Sequence, residues 1–172
     1  PWSARGALPA ERPLPAAVEL LAILRERGRL RTLFAALLGS APRLADIVAF
    51  SPHVLDAVLD PGFVEPTTDA GEIAAHYRSL LGKPDSHEIF LDRSRDAARQ
   101  LRFVTGARLL SGILTPEGAG RAFSAIADAV VASSLDEVAR HFEAEHGTVP
   151  GGRMAVLGFG RLGSHQLTAE SD

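Results

Sequence analysis

A glycine-rich segment near the end of the chain carries the residues best suited to chemistry, in the order Gly158-Phe159-Gly160-Arg161-Leu162-Gly163-Ser164. Glycines let backbone N–H groups approach phosphate oxygens without obstruction, so Gly158 and Gly160 are candidate binding positions and Gly163 a candidate tight turn. Arg161 would supply a fixed positive charge in the forked geometry that suits phosphate, and Ser164 would supply a hydroxyl. This combination is typical of a nucleotide-binding loop.

A carboxylate follows the loop at the end of the chain. Ser171 and Asp172 come seven and eight residues after Ser164. Carboxylate oxygens are preferred ligands of Mg²⁺, which also bridges to substrate phosphates, so Asp172 is a candidate metal ligand. The compact apolar run over residues 154–157, directly before the loop, is typical of a buried strand that would hold the loop in place.

The residues alone leave three interpretations of the loop open. The first is a glycine turn that serves only packing. The second is a Rossmann-type dinucleotide fingerprint, because the glycine spacing matches, although that motif normally needs a helix straight after the third glycine. Residues 164–171 are short and polar for such a helix. The third is a nucleotidyltransferase, with a glycine–serine loop, a short connector and an acidic metal ligand.

The chain before the loop has helical patterning. Apolar residues recur at helical spacing over about 14–27, 29–38, 42–48, 52–58, 69–82, 86–111 and from 115 to about 146. Thr115 and Pro116 suit the N-cap and first turn of the last helix. Charged side chains line one face of the long helix and predict a solvated, salt-bridged surface or else a docking surface: Glu88, Asp92, Arg95, Arg99 and Arg102.

These patterns divide the chain into three predicted parts. Residues 1–13 hold three prolines and are predicted to form a linker or arm. Residues 14–149 are predicted to form an all-α helical domain, and residues 150–172 the start of another domain. The predicted fold class is mainly α, a multi-helix bundle followed by the first strand and glycine loop of an α/β or α+β domain.

Composition narrows the function classes. The net charge of the 172-residue chain is -3, which does not favour binding to nucleic acid or to an anionic membrane. No apolar run approaches the roughly 20 residues that a membrane span needs. The chain has no cysteine, which excludes disulfides and thiolate metal sites and fits a cytoplasmic protein. The histidines show no metal-ligand spacing, and a non-catalytic all-α interaction module also stays open.

A longer string resembles the glutamate–ammonia-ligase adenylyltransferase family. Residues 156–164, with Leu167 and then Ser171-Asp172, match the family pattern G-x-G-[KR]-L-G-x-x-x-L-x-x-x-S-D-x-D at every position up to the chain end. Residues 44–61 and 109–112 also resemble the helical part that precedes the family's catalytic domain. This family belongs to the DNA polymerase β-like nucleotidyltransferases, whose catalytic domain is α+β.

The resemblance implies a function for each part of the segment. Gly163 and Ser164 would hold the triphosphate of ATP, together with Gly158, Gly160, Arg161 and Ser171. Asp172 would be the first carboxylate of an Asp-x-Asp pair that binds two Mg²⁺ ions. The second carboxylate would fall at position 174, beyond this sequence, so the chain on its own is expected to be inactive.

The resemblance also implies partners. The family enzyme attaches AMP to a tyrosine of glutamine synthetase in one catalytic half and removes it in the other, which regulates nitrogen assimilation. The sequence Thr168-Ala169-Glu170-Ser171-Asp172 is more similar to the adenylylating half. A nitrogen-signalling regulatory protein is a further expected partner.

Overall fold

The computed structural model describes residues 28–50 and 56–171, together with Arg25 and Val54. Its helices are α1 (Gly28–Ser40), α2 (Pro42–Phe50), α3 (Asp56–Leu59), α4 (Ala70–Leu81), α5 (His87–Leu110), α6 (Pro116–His146) and α7 (Gly160–Gly163), with a 3-10 turn at Pro61–Val64. This confirms the predicted mainly α fold. The arm predicted over 1–13 and, Arg25 apart, the helix predicted over 14–27 lie outside the described residues.

Local sequence explains where the three main helices begin. Asp69, Ser86 and Thr115 each accept a hydrogen bond from the backbone N–H three residues further on, at 2.9, 3.2 and 3.1 Å. These side chains satisfy N–H groups that the first turn of a helix otherwise leaves without an acceptor. Pro116 occupies the first turn of α6, as the sequence predicted.

Helices α4, α5 and α6 pack on one another around the larger core. Its buried side chains are Ile73, Tyr77, Leu81, Phe90, Ala97, Leu101, Ala122, Ala125, Ile126 and Ala129. The alanines of α6 let its backbone approach the larger side chains of α4 and α5. Inside this core the Tyr77 hydroxyl lies 2.7 Å from Ser94 Oγ, so these two buried polar groups satisfy each other.

Helix α5 is buried on a second side by the first of the described helices. The cluster there consists of Leu33, Leu44, Val54, Val58, Phe63, Phe103 and Ala107. Arg108 ties the 3-10 turn to α5, because its Nε donates to the Phe63 carbonyl at 2.9 Å and its Nη2 to the Gly62 carbonyl at 3.1 Å. Burial lowers the pKa of Arg108 from its ordinary value. With neighbours on both sides, α5 is held as a rigid element.

Two predicted elements differ from the observed ones. The short helix predicted over 52–58 is found as Asp56–Leu59, preceded by a 3-10 residue at Val54, and residues 51–53 and 55 are not among the described residues. The apolar stripe predicted along the last helix is buried at Phe123 and Ile126 but not near the C-terminal end. Val138 and Phe142 are 54% and 50% exposed there.

The structure does not show the predicted strand over residues 154–157. Residues 152–159 form neither helix nor sheet, and Met154, Val156 and Leu157 are 75%, 56% and 75% exposed. A strand needs a neighbouring strand to satisfy its backbone N–H and C=O groups, and the described part of the chain supplies none. The apolar run is present in the sequence, but its side chains are exposed, so the described residues do not show the predicted buried strand.

Candidate functional site

The glycine segment closes on itself as a single helical turn. The N–H of Gly163 donates to the Phe159 carbonyl at 3.3 Å, and the N–H of Ser164 donates to the Gly160 carbonyl at 3.0 Å. The loop predicted over 158–164 is therefore partly helical, with α7 inside it. Because the first amides of a helical turn have no acceptor within the turn, those at Gly160, Arg161 and Leu162 are the ones that a ligand could meet.

Gly163 is required by a close approach of the backbone. A Cβ on Gly163 would lie 2.5 Å from the carbonyl oxygen of Gly158, a distance that real Cβ atoms do not adopt. Gly160 has a positive φ of 57°, which favours glycine, and a Cβ there would meet nothing within 4 Å. The turn is thus tight at Gly163 and open to solvent at Gly160.

The side chains of the loop are accessible. Arg161 and Ser164 are both exposed, and the Ser164 hydroxyl donates to the Arg161 carbonyl at 3.4 Å. An exposed guanidinium beside a solvent-open glycine backbone fits the phosphate groups that the sequence predicted. The structure therefore brings together Gly158, Gly160, Arg161, Gly163 and Ser164.

Helix α6 holds the segment that follows the loop. The N–H of Leu167 donates to Ser124 Oγ at 3.4 Å, and the fully buried Ser124 hydroxyl donates to the Gly120 carbonyl at 2.9 Å. A Cβ on Gly120 would lie 3.3 Å from the His165 carbonyl oxygen, so the missing side chain makes room for the segment. Leu167 and Ala169 pack against a third buried cluster, formed by Leu114, Ala119 and Phe123.

Helix α5 holds the same segment further along. Arg102 Nη2 donates to the carbonyl oxygens of Ala169 and Ser171, at 3.0 and 3.2 Å. Ser171 is also fixed from within, because its Oγ accepts from the Thr168 N–H at 3.0 Å and lies 3.2 Å from Thr168 Oγ1. The Ser171 hydroxyl thus stabilises a turn in the described structure, and its role in nucleotide binding stays a prediction.

Sequence reasoning missed the residues that hold the segment. The prediction of a solvated, salt-bridged face is confirmed for the exposed pair Arg95 and Asp92, 3.3 Å apart. Arg102 instead donates to backbone carbonyls of the segment, which agrees with the docking alternative for this face. Ser124 and Gly120 look in the sequence like an ordinary polar residue and an ordinary small residue of an amphipathic helix, so nothing marked them as contact residues. Their contacts lie more than 40 residues away in sequence, and no local pattern encodes such a distance.

Asp172, the predicted catalytic residue and metal ligand, lies outside the described residues. Within the described part of the chain, no group of three or more His, Cys, Asp or Glu side chains could hold a metal ion. A carboxylate at 172 remains a suitable donor for Mg²⁺ by its chemistry, since Mg²⁺ binds through one or two carboxylates and substrate phosphates. The metal site therefore stays a prediction.

Histidines on α5 and α6 meet away from the loop. His87 Nδ1 lies 3.3 Å from the buried carboxylate of Glu137, and its ring stacks on His141 with centroids 5.0 Å apart. Arg140 pairs with the other oxygen of Glu137. These contacts satisfy the buried carboxylate and join the N-terminal end of α5 to α6.

Comparison with known proteins identifies the family. The sequence profile described as Glutamate-ammonia ligase adenylyltransferase matches residues 31–172, and the chain belongs to this family. No solved structure matches the chain significantly.

Curated relatives from several bacteria carry the name "Bifunctional glutamine synthetase adenylyltransferase/adenylyl-removing enzyme". The chain is 42% identical over 159 residues to the relative from Rhizobium meliloti (strain 1021), an alignment that covers 92% of this chain and 16% of that protein. It is 42% identical to the relative from Mesorhizobium japonicum and 39% to that from Brucella suis biovar 1, with the same coverage. The chain thus spans about one sixth of the length of these relatives.

The alternatives gain no support from the structure. Residues 164–171 contain no helix, which a Rossmann fingerprint would place directly after Gly163.

None of the described helices is both long enough and apolar enough to cross a bilayer.

Proposed function

We propose that this chain is part of an enzyme that transfers AMP from ATP to a tyrosine of glutamine synthetase. The observation that carries the proposal is the family match, which runs from residue 31 through the glycine loop to Asp172. The chain then contributes the helical bundle and the phosphate-binding end of the active site. On this proposal, residues 14–149 would form a helical domain and residues 150–172 would begin the nucleotidyltransferase domain.

Residues 158–164 would bind the triphosphate of ATP. Gly160 is exposed and a Cβ there would meet nothing within 4 Å, so a ligand can approach the backbone, and the exposed Arg161 side chain adds positive charge next to it. Phosphate oxygens accept hydrogen bonds from consecutive backbone amides, and a guanidinium binds them in a forked geometry. Ser164, at the end of the turn, would contribute its hydroxyl.

Asp172 would hold Mg²⁺ with the second carboxylate predicted at position 174. Bound Mg²⁺ supplies charge neutralisation of the triphosphate and supports in-line displacement at the α-phosphorus. In that displacement the tyrosine oxygen bonds to the α-phosphorus, the bond to pyrophosphate breaks, and the tyrosine proton passes to solvent or a base. Ser171, which directly precedes Asp172 and whose Oγ accepts from the Thr168 N–H, would contribute to nucleotide binding.

We assign the chain to the adenylylating half of the bifunctional enzyme, because residues 168–172 are more similar to that half. The relatives' names contain both activities, so membership of the family does not by itself say whether this chain belongs to the adenylylating or the adenylyl-removing half. Regulation by a nitrogen-signalling protein remains a prediction from the resemblance.

Neighbouring carboxylates allow a matched experiment in the whole protein that carries this sequence. Asp172→Asn removes the proposed metal ligand, whereas Glu170→Gln removes an exposed carboxylate two residues away. We expect Asp172→Asn to lower AMP transfer to glutamine synthetase by at least about 100-fold, with Glu170→Gln within about twofold of the parent protein. Equal activity of both variants would overturn the proposal, and loss of AMP removal with intact AMP transfer would overturn the choice of half.

A further inference from the structure

We propose that Arg102 is a positioning residue: it fixes the backbone of residues 169–171, directly before Asp172 in the chain, against helix α5. The inference rests on the proposed function, since it matters to the reaction only if Asp172 takes part in it. Arg102 itself touches neither nucleotide nor metal in this account. It acts through the backbone immediately before the carboxylate.

The geometry makes Arg102 a two-point clamp. Its Nη2 donates to the carbonyl oxygens of Ala169 and Ser171, at 3.0 and 3.2 Å, and is half-buried there. The Ser171 carbonyl belongs to the peptide bond that joins Ser171 to Asp172. Hydrogen bonds from a charged donor are stronger than neutral ones, so the clamp restricts this peptide group directly.

The clamp has a rigid base. Helix α5 contributes to both main core clusters, through Leu101 on one side and Phe103 on the other. Arg102 lies between these two buried residues in sequence, and it belongs to neither cluster. Replacing its side chain therefore removes hydrogen bonds to residues 169–171 without removing a buried apolar side chain from either cluster.

Packed side chains do not fill the space between residues 169–171 and helix α2. A cavity of about 280 Å³ adjoins Ala169 and is lined by Arg43, Asp46, Ile47, Arg99, Arg102 and Ala169. Because space is available there, residues 169–171 could shift toward α2 if the hydrogen bonds from Arg102 were lost. Leu167 would stay in place, since it is anchored separately on Ser124.

A shift of this kind predicts a specific kinetic change. Partners that orient a metal ligand without touching the metal contribute about 10- to 100-fold in activity or metal affinity. We expect Arg102→Gln to lower kcat by about 10- to 100-fold and to raise the Mg²⁺ concentration needed for half-maximal rate. The KM for glutamine synthetase should stay within about twofold, because the protein substrate does not contact Arg102 in this account.

Arg95 provides the matched control. It lies seven residues before Arg102, two helical turns earlier on the same face of α5, and pairs with exposed Asp92. The test compares Arg102→Gln, Arg102→Lys and Arg95→Gln in the whole protein. Lysine keeps the positive charge but has a shorter side chain without the planar guanidinium, so Arg102→Lys should fall between the parent protein and Arg102→Gln.

Hydrogen exchange supplies a readout that is independent of activity. Amides of residues 168–171 should exchange faster in Arg102→Gln than in Arg95→Gln, while α5 and α6 keep their protection. If Arg102→Gln matches Arg95→Gln in kcat and Mg²⁺ requirement while Asp172→Asn is inactive, the positioning role is overturned and the proposed function stands. If Asp172→Asn is fully active, the proposed function itself fails.

Discussion

A Cβ on Gly163 would lie 2.5 Å from the carbonyl oxygen of Gly158. The backbones of these two residues therefore approach so closely that only glycine fits at position 163. The contact closes the turn that presents the amides around Gly160. Any side chain at 163 must open this turn. The backbone conformation of the candidate phosphate site thus depends on the absence of a Cβ at Gly163.

The Gly163→Ala variant tests this relationship. The clash is with backbone, which cannot rotate away as a side chain can, so we expect the turn to open and Mg-ATP affinity to fall by at least about tenfold, or about 1.4 kcal/mol. Calorimetric titration of the whole protein with Mg-ATP measures it. Gly39→Ala is the control, because a Cβ at Gly39 meets nothing within 4 Å. Unchanged ATP affinity in Gly163→Ala would show that the turn does not shape the site.

Gly120→Ala should separate helix stability from the position of the downstream segment. A Cβ at Gly120 would lie 3.3 Å from the His165 carbonyl oxygen and 3.4 Å from Gln166 Cα. Alanine stabilises a helix interior over glycine by about 1 kcal/mol, so the melting temperature should not fall. Residues 165–168, which are mostly exposed, should instead move outward and lose amide protection in hydrogen exchange. A lower melting temperature with unchanged protection of these residues would contradict the expectation.

The buried pair Tyr77 and Ser94 predicts non-additive stability. Tyr77→Phe leaves the Ser94 hydroxyl buried without its partner 2.7 Å away, which should cost about 1–3 kcal/mol in free energy of unfolding. Ser94→Ala should cost a similar amount. The double variant should cost clearly less than the two single variants together, as urea unfolding would measure. Strict additivity would show that the two hydroxyls do not depend on each other.

Local signals in the sequence predicted most of the helical architecture. Thr115 and Pro116 mark the start of α6 because capping involves only the first turn of a helix. Helices α4 and α5 were likewise bounded to within one residue, since apolar spacing and helix-breaking glycines act over a few residues.

Features that depend on distant partners were not predictable. Arg102 binds carbonyls 67 and 69 residues away, and in the sequence it looks like its exposed neighbour Arg95. The strand over 154–157 was inferred from composition, but a strand forms only where another strand pairs with it. The glycine spacing predicts a phosphate-binding loop, but it carries no information on the segment after the loop, whose placement depends on Gly120 and Ser124 of α6.

The most direct measurement follows the phosphate of ATP in the whole protein that carries this sequence. Glutamine synthetase is incubated with the whole protein, Mg²⁺ and ATP labelled at either the α- or the γ-phosphate. The labelled peptide is then located by mass spectrometry. We expect that only the α-label enters glutamine synthetase, as AMP on a tyrosine, and that Asp172→Asn abolishes the signal. Incorporation of the γ-label, or of α-label in the Asp172→Asn variant at the level of the parent protein, would contradict it.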